Sequence, residues 1–346
     1  MSLVTSLKLG DRGSHVVALQ RSLSGLGFAL KPDGILGERT LAAIQAYAGS
    51  RTQRGAPHWL VAAIHAEMAA QSAETAQPEL APVLPGIRTV GAWCGATSLA
   101  NPERDVAVAS AHGIDRLDIV VNDHSTWRTP RDFTIRSESR IERLCRTAQS
   151  AGIEVHLMTW IMPHQRYIQG ASDRLRPMCD QLGIRSLQFD AEEPWTQAKQ
   201  GMPHAAAAKA IAASFADFPC QLGANAIGYT PIAKFAPLAA VVDYIVPQAY
   251  ATSTSKIAPG DAPGRFYRRY RTHFGETKPI VMGLAAYRQS GIAGHTPASA
   301  IAAAVDATSV LPDVDTVLYW SLDAIRNTPS VARAIAAVRA EARAVA

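Results

Sequence analysis

Between Arg88 and Asp323 the chain repeats one unit eight times: a short apolar run of β-forming residues, then a stretch with helical spacing. The β-like runs are RTVGAW, RLDIVVND, EVHLMTWIM, SLQFDAE, CQLGANAIG, DYIVPQAY, PIVMGLAAY and TVLYWSLD, separated by segments such as SESRIERLCRTAQSAG and HAAAAKAIAASFADF. Runs that are apolar at successive positions belong to strands covered on both faces, which is the condition of parallel strands joined by helices. Eight such units over roughly 260 residues have the size of a closed (β/α)8 barrel. The competing architecture is an open doubly wound sheet. No GxGxxG or GxxxxGK(S/T) loop follows any strand, so the usual ligands of such a sheet would lack their phosphate cradle.

The first seventy residues follow a different pattern. After a Gly-Asp-Arg-Gly turn, Val16, Leu19, Leu23 and Leu26 recur at helical spacing, with Ser14 as a candidate N-cap. Gly25 and Gly27 end that helix, Pro32-Asp33-Gly34 signals a turn, and Gly37-Glu38-Arg39-Thr40 opens a second helix carrying Leu41, Ile44 and Tyr47. Gly10, Gly13, Val16, Leu19, Gln20, Leu23, Gly27, Asp33, Gly34, Gly37, Thr40, Ala43 and Tyr47 together resemble the common three-helix peptidoglycan-binding domain over residues 5 to about 70. The resemblance implies peptidoglycan as a partner, held in a shallow groove near Lys31 to Gly37. QSAETAQPELAPVLP has no apolar periodicity and suits a semi-rigid linker. The predicted organisation is a small all-α three-helix domain at 1–70, a linker at 71–86 and an α/β TIM-type barrel at 87–346.

The formal net charge of +5 favours an anionic polymer as partner. No Lys/Arg-rich run with interleaved aromatics appears, so nucleic acid is not expected. Cys94, Cys145, Cys179 and Cys220 are widely spaced and read as free thiols. The histidines are scattered without HExxH or HxH, and no GxSxG elbow is present, so neither a metal nor a cofactor is predicted. The opening residues lack a secretory pattern and no stretch of about 18 apolar residues occurs, which predicts synthesis in the cytoplasm without a signal peptide and no stable membrane insertion.

In such barrels chemistry gathers at the C-terminal ends of the strands. The fourth run ends Gln188-Phe189-Asp190-Ala191-Glu192, and strand alternation sends Gln188, Asp190 and Glu192 to one face. Two carboxylates sharing a barrel mouth should raise one pKa, as a general acid requires. Further strand-end candidates are Asn122 and Asp123, Trp160, Asn225, Gln248, Tyr287, Trp320 and Asp323. Aromatic residues there can stack on sugar rings, while amides and carboxylates can bond hydroxyls.

The Asp190-x-Glu192 pair resembles the catalytic signature of family-18 and family-25 glycoside hydrolases, and Tyr250 and Trp320 fall where the family-18 pattern has its tyrosine and sugar-floor tryptophan. The resemblance implies Glu192 as general acid, with Asp190 and Tyr250 orienting the substrate's acetamido group. Gln188, Gln248, Trp320, Trp160, Asp123, Asn225 and Tyr287 are the expected substrate contacts. The family-18 pattern has two further aspartates where this chain has Arg185 and Gln188. With the wall-binding module, the chain looks like a monomeric phage endolysin, a peptidoglycan muramidase freed to the cell wall by a holin. A glucosaminidase of the same fold and a non-catalytic wall-binding protein remain the alternatives.

Overall fold

The computed structural model describes residues 7–25, 28–48, 55–56, 87–122, 132–197 and 201–345. The chain divides into two units, Met1–Pro82 and Val83–Ala346. The third helix expected in the first unit, the linker at 71–86 and Asp123 lie outside the described residues.

In the first unit, α1 (Ser14–Gly25) and α2 (Glu38–Ala48) bring their periodic apolar positions together. Val16, Leu19 and Leu23 meet Leu41, Ala43 and Ile44, and Leu36 joins them from the connection. A short antiparallel pair, Leu7–Lys8 with Gly55–Ala56, accompanies the helices; helical periodicity carries no signal for it. The connection between α1 and α2 is organised by one buried side chain. Gln20 Nε2 donates to Asp33 Oδ1 at 2.8 Å, to the Ile35 carbonyl at 2.9 Å and to Thr40 Oγ1 at 3.0 Å, while its Oε1 accepts the Gly34 N–H at 2.8 Å. Gly34 has φ of 75°, and a Cβ there would stand 3.0 Å from the Val17 side chain, so the turn needs glycine. Gln20→Leu leaves these groups without their partner and is expected to destabilise this unit by ~1–3 kcal/mol. Faster hydrogen exchange at the Gly34 and Ile35 amides in the full chain is the readout; unchanged protection would show that the turn stands without Gln20.

The second unit is a closed barrel of parallel strands: β1 (Thr89–Cys94), β2 (Arg116–Val120), β3 (Glu154–Trp160), β4 (Ser186–Asp190), β5 (Gln221–Ile227), β6 (Tyr244–Gln248), β7 (Met282–Ala285) and β8 (Thr316–Trp320), with β8 pairing back onto β1. All eight β-like runs are strands, and helices separate them. Strand alternation divides the core in two. Outward residues such as Val90, Leu117, Leu157 and Phe189 pack under the helices, while Trp93, Val120, Met158, Tyr244, Val246 and Leu318 fill the barrel. Gly223 makes room for one of these, since a Cβ there would lie 2.3 Å from the Tyr244 ring. Cys94, Cys145 and Cys179 are buried free thiols and Cys220 is a partly buried one. No helix among the described residues is long and apolar enough to cross a membrane.

Candidate active site

A cleft of about 630 Å³ opens at the C-terminal ends of the strands, with Asp190, Glu192, Gln248, Tyr250, Trp160, Tyr287 and Trp320 among its walls. Seven residues expected at the site from the sequence are thus gathered in one place. Strand β4 delivers the two acids by alternation: Phe189 faces outward against Phe215 with ring centroids 4.9 Å apart, and Asp190 faces inward at 2% exposure. The ladder continues one residue further, through the Ala191 N–H to the Asn225 carbonyl at 2.9 Å. Glu192 then precedes the short helix Glu193–Thr196. Trp195 locks that turn by burying its ring and donating Nε1–H to the Lys234 carbonyl at 2.8 Å.

Burial dominates the electrostatics. It pushes the Asp190 carboxyl well above the ordinary range, and repulsion from Glu192 adds to the shift. Burial also pushes Glu192 up to about 7, against a lowering contact from the Gln248 amide and with repulsion from Glu193. Tyr250 is held protonated by its burial and by both acids. Asp190 Oδ1 and Gln248 Oε1 are buried and have no hydrogen-bond partner among the described residues. Both are cleft residues, so each has an acceptor to offer a ligand. The arrangement can hold a proton on Glu192 near neutral pH and deliver it into the cleft.

The raised values have a stability consequence. Asp190 and Glu192 titrate higher in the folded chain than in an unfolded one, so the folded state binds more protons between the ordinary carboxylate range and their raised values. Stability tied to the protonated forms is present at low pH and lost as pH rises through that window. Asp190→Asn removes one of these titrations. Its denaturation midpoint is expected to exceed that of the wild type at pH 8 and to converge on it near pH 4. A gap independent of pH would exclude ionisation as its cause.

Gln188 and Asn225, expected to touch substrate, instead lie fully buried below the cleft. They form a chain of amides down the barrel axis. Gln248 Nε2 donates to Asn225 Oδ1 at 2.8 Å, Asn225 Nδ2 to Gln188 Oε1 at 3.1 Å, and Gln188 Nε2 to Asp118 Oδ1 at 2.7 Å. Asp118 is gripped in turn by both arms of Arg116, each at 2.8 Å. The inward position that Gln188 occupies is thus a structural one, and its amide serves Trp93 Nε1 as well at 3.3 Å. Asn122 is likewise committed, accepting the Trp160 N–H at 2.9 Å and donating to the Tyr167 hydroxyl at 2.7 Å. Asp323 pairs with Arg326 at 2.7 Å, and Arg185 is exposed on the surface.

Several cleft residues were not among those expected from the sequence, namely Tyr229, Trp93, Lys256, Arg265 and Arg288. Tyr229, 71% exposed, stands two residues beyond β5, where the strand-end rule that found Glu192 could have found it. Arg269 presents its loop by donating to the Gly228 carbonyl and, at 2.8 Å, to the Thr230 carbonyl. Trp93 meets Trp320 with ring centroids 5.9 Å apart. Tyr250 and Tyr287 meet edge to face at 5.8 Å. Lys256, Arg265 and Arg288 complete one side. Lys256 and Arg288 come from connections without periodicity, and Arg265 from the first turn of the helix Ala262–Phe274. Among the described residues no group of three His, Cys, Asp or Glu side chains converges as a metal site.

Residues 14–76 match the family described as a predicted peptidoglycan domain. No curated protein sequence matches the chain. Among solved structures, the chain is similar to a GH5_18 protein from Bifidobacterium longum subsp. infantis, with a TM-score of 0.57 and 10% identity over 73% of this chain and 78% of that one. It is similar to a GH5_18 variant from Bifidobacterium longum subsp. longum in complex with Manβ1-4GlcNAc, with a TM-score of 0.56 and 11% identity over 74% and 78%. A fungal β-1,4-galactanase gives a TM-score of 0.52 and 13% identity over 73% of this chain and all of that one. At such identities the likeness is one of fold: the parallel eight-stranded barrel that these glycoside hydrolases share.

Proposed function

We propose that the barrel is a glycoside hydrolase that cleaves β-1,4 bonds in the glycan of peptidoglycan, acting as a muramidase. The observation that carries this reading is the pair formed by Glu192, with its pKa near 7, and buried Asp190 in the strand-end cleft. The peptidoglycan-domain match in the same chain supports the substrate.

Glu192 donates its carboxyl proton to the glycosidic oxygen as the bond to the anomeric carbon breaks. The carbonyl oxygen of the neighbouring acetamido group bonds to that carbon from the opposite face. Asp190 Oδ1 accepts the acetamido N–H, and Tyr250 orients the same group. Water then attacks the anomeric carbon, the acetamido group is restored, and the Glu192 carboxylate takes the proton that water releases. Trp160, Trp320, Tyr287 and Tyr229 offer faces and edges for the sugar rings. The N-terminal module holds the polymer and so raises the concentration of glycosidic bonds at the barrel.

We propose further that the protein works as an endolysin, reaching the wall after a holin-type partner opens the membrane. The pairing of one wall-binding module with one glycan-cleaving barrel and the net positive charge support that role.

Digestion of purified peptidoglycan, borohydride reduction and mass spectrometry of the fragments test the activity. Reduced muramic-acid ends are expected. Reduced glucosamine ends would make the enzyme a glucosaminidase, and absence of fragments would leave a wall-binding protein.

A further inference from the structure

We infer that the cleft takes a glycan bearing carboxylates, those that the lactyl ether of muramic acid carries free or extends through its stem peptide, and that Lys256, Arg265 and Arg288 recognise them. The inference rests on the proposed glycan-binding role of the same cleft and specifies its substrate class.

These three cations share the cleft with Asp190 and Glu192, and all three are exposed. None pairs with a carboxylate among the described residues. Arginines outside the cleft lining behave differently. Arg269, on the same helix as Arg265, spends its guanidinium on the Gly228 and Thr230 carbonyls. Arg271 pairs with Asp313 at 2.5 Å, and Arg326 with Asp105 at 2.8 Å. The arginines that hold the fold together thus have carboxylate or carbonyl partners, whereas among the described residues those of the cleft pair with no carboxylate.

Nor do the described residues of the cleft balance this charge. Among the described residues, Asp190 and Glu192 are the only carboxylate residues in its walls, and burial drives both toward their neutral forms. An anion entering the cleft therefore meets uncompensated positive charge, and a charge-assisted hydrogen bond is roughly twice as strong as a neutral one. A plain acetamido glycan offers only hydroxyls and amides to these groups.

Position favours a substituent rather than the scissile bond itself. The Arg288 guanidinium lies 5.9 Å from the centre of the Tyr287 ring, and Tyr287 in turn meets Tyr250 at 5.8 Å. Two ring contacts therefore separate Arg288 from the tyrosine beside the acids. Arg288 also has φ of 52°, which turns the chain sharply after Tyr287.

Binding and cleavage are measured separately with soluble muropeptide oligosaccharides, used native or with their carboxylates amidated. Equilibrium binding is read on full-length Glu192→Gln, with and without Arg265→Gln and Arg288→Gln, and cleavage on the wild type. Glu192→Gln is expected to bind native fragments about tenfold or more tightly than amidated ones, and the two arginine substitutions to reduce that preference to roughly twofold or less. Arg288→Lys, which keeps the charge, is expected to retain most of it. Equal binding of native and amidated fragments, or equal weakening of both by the arginine substitutions, overturns the carboxylate inference even if the wild type cleaves them. A preference for native fragments that the arginine substitutions abolish, without any cleavage by the wild type, supports the inference and overturns the hydrolase reading instead.

Discussion

Glu192→Gln is expected to lower kcat for glycan cleavage by roughly three orders of magnitude, within the range that a positioned general acid contributes. Gln has the shape of the protonated acid and no proton to deliver. Its fold should not suffer, because the substitution removes a carboxylate that burial already opposes. Unfolding midpoints equal to or above the wild type at pH 8, together with lost activity, would separate a catalytic role from a structural one. The pH profile adds a sign. Glu192 must be protonated to act as an acid, and its pKa lies near 7. Wild-type activity should therefore be full at mildly acidic pH and fall about tenfold per pH unit once pH has risen past that value. Activity that climbs through pH 8 would assign the proton to another group.

Arg116→Met is expected to destabilise the barrel by about 3–5 kcal/mol, because it leaves the buried Asp118 carboxylate without its cation. Asp118 is completely buried and receives both arms of Arg116 together with the Gln188 amide. One of those three bonds survives the substitution. The double change Arg116→Met with Asp118→Leu should recover a large part of the loss, since a buried ion pair replaced as a pair is often nearly neutral. Chemical denaturation of the three proteins reads this directly. A double variant no more stable than Arg116→Met would mean that packing around the introduced thioether side chain, rather than an orphaned charge, causes the loss. The site should also respond: Asp118 anchors the Gln188–Asn225–Gln248 chain that ends beside Glu192. Loss of order along that chain should lower kcat before the barrel unfolds.

The sequence pattern located the walls of the cleft better than it located their support. Asp190 and Glu192 were legible because alternation along a strand is a local property, and because chemistry in this fold collects at strand ends. The aromatics Trp160, Tyr287 and Trp320 were legible as strand-end residues, and Tyr250 through the resemblance to family-18 glycoside hydrolases. Alternation put Gln188 on the face of the two acids and Asn225 stood out as a strand-end amide, but whether an inward residue touches substrate or packs beneath it depends on its depth along the barrel. That depth is set by the stagger of neighbouring strands, with Asn225 opposite Asp190 on one side and Val246 on the other. A single strand's sequence does not contain that stagger.

The cationic side of the cleft was illegible for a different reason. Lys256, Arg265 and Arg288 reach it from the segments that follow β6 and β7, where no strand alternation marks which residues face the barrel mouth. In composition they are indistinguishable from Arg269 or Arg271, which the fold uses for its own carbonyls and acids.

By itself the sequence determined the rhythm of eight strands, the identity of the acid pair and the helical pattern of the wall-binding module, because each follows from periodicity or adjacency within a short segment. Only the tertiary structure decided that Asp190 loses its water, that Gln248 rests on Asn225 and that Lys256, Arg265 and Arg288 share a cleft with two reluctant acids. Desolvation and charge balance are properties of a closed volume, and the volume exists only once residues from all eight strands have met.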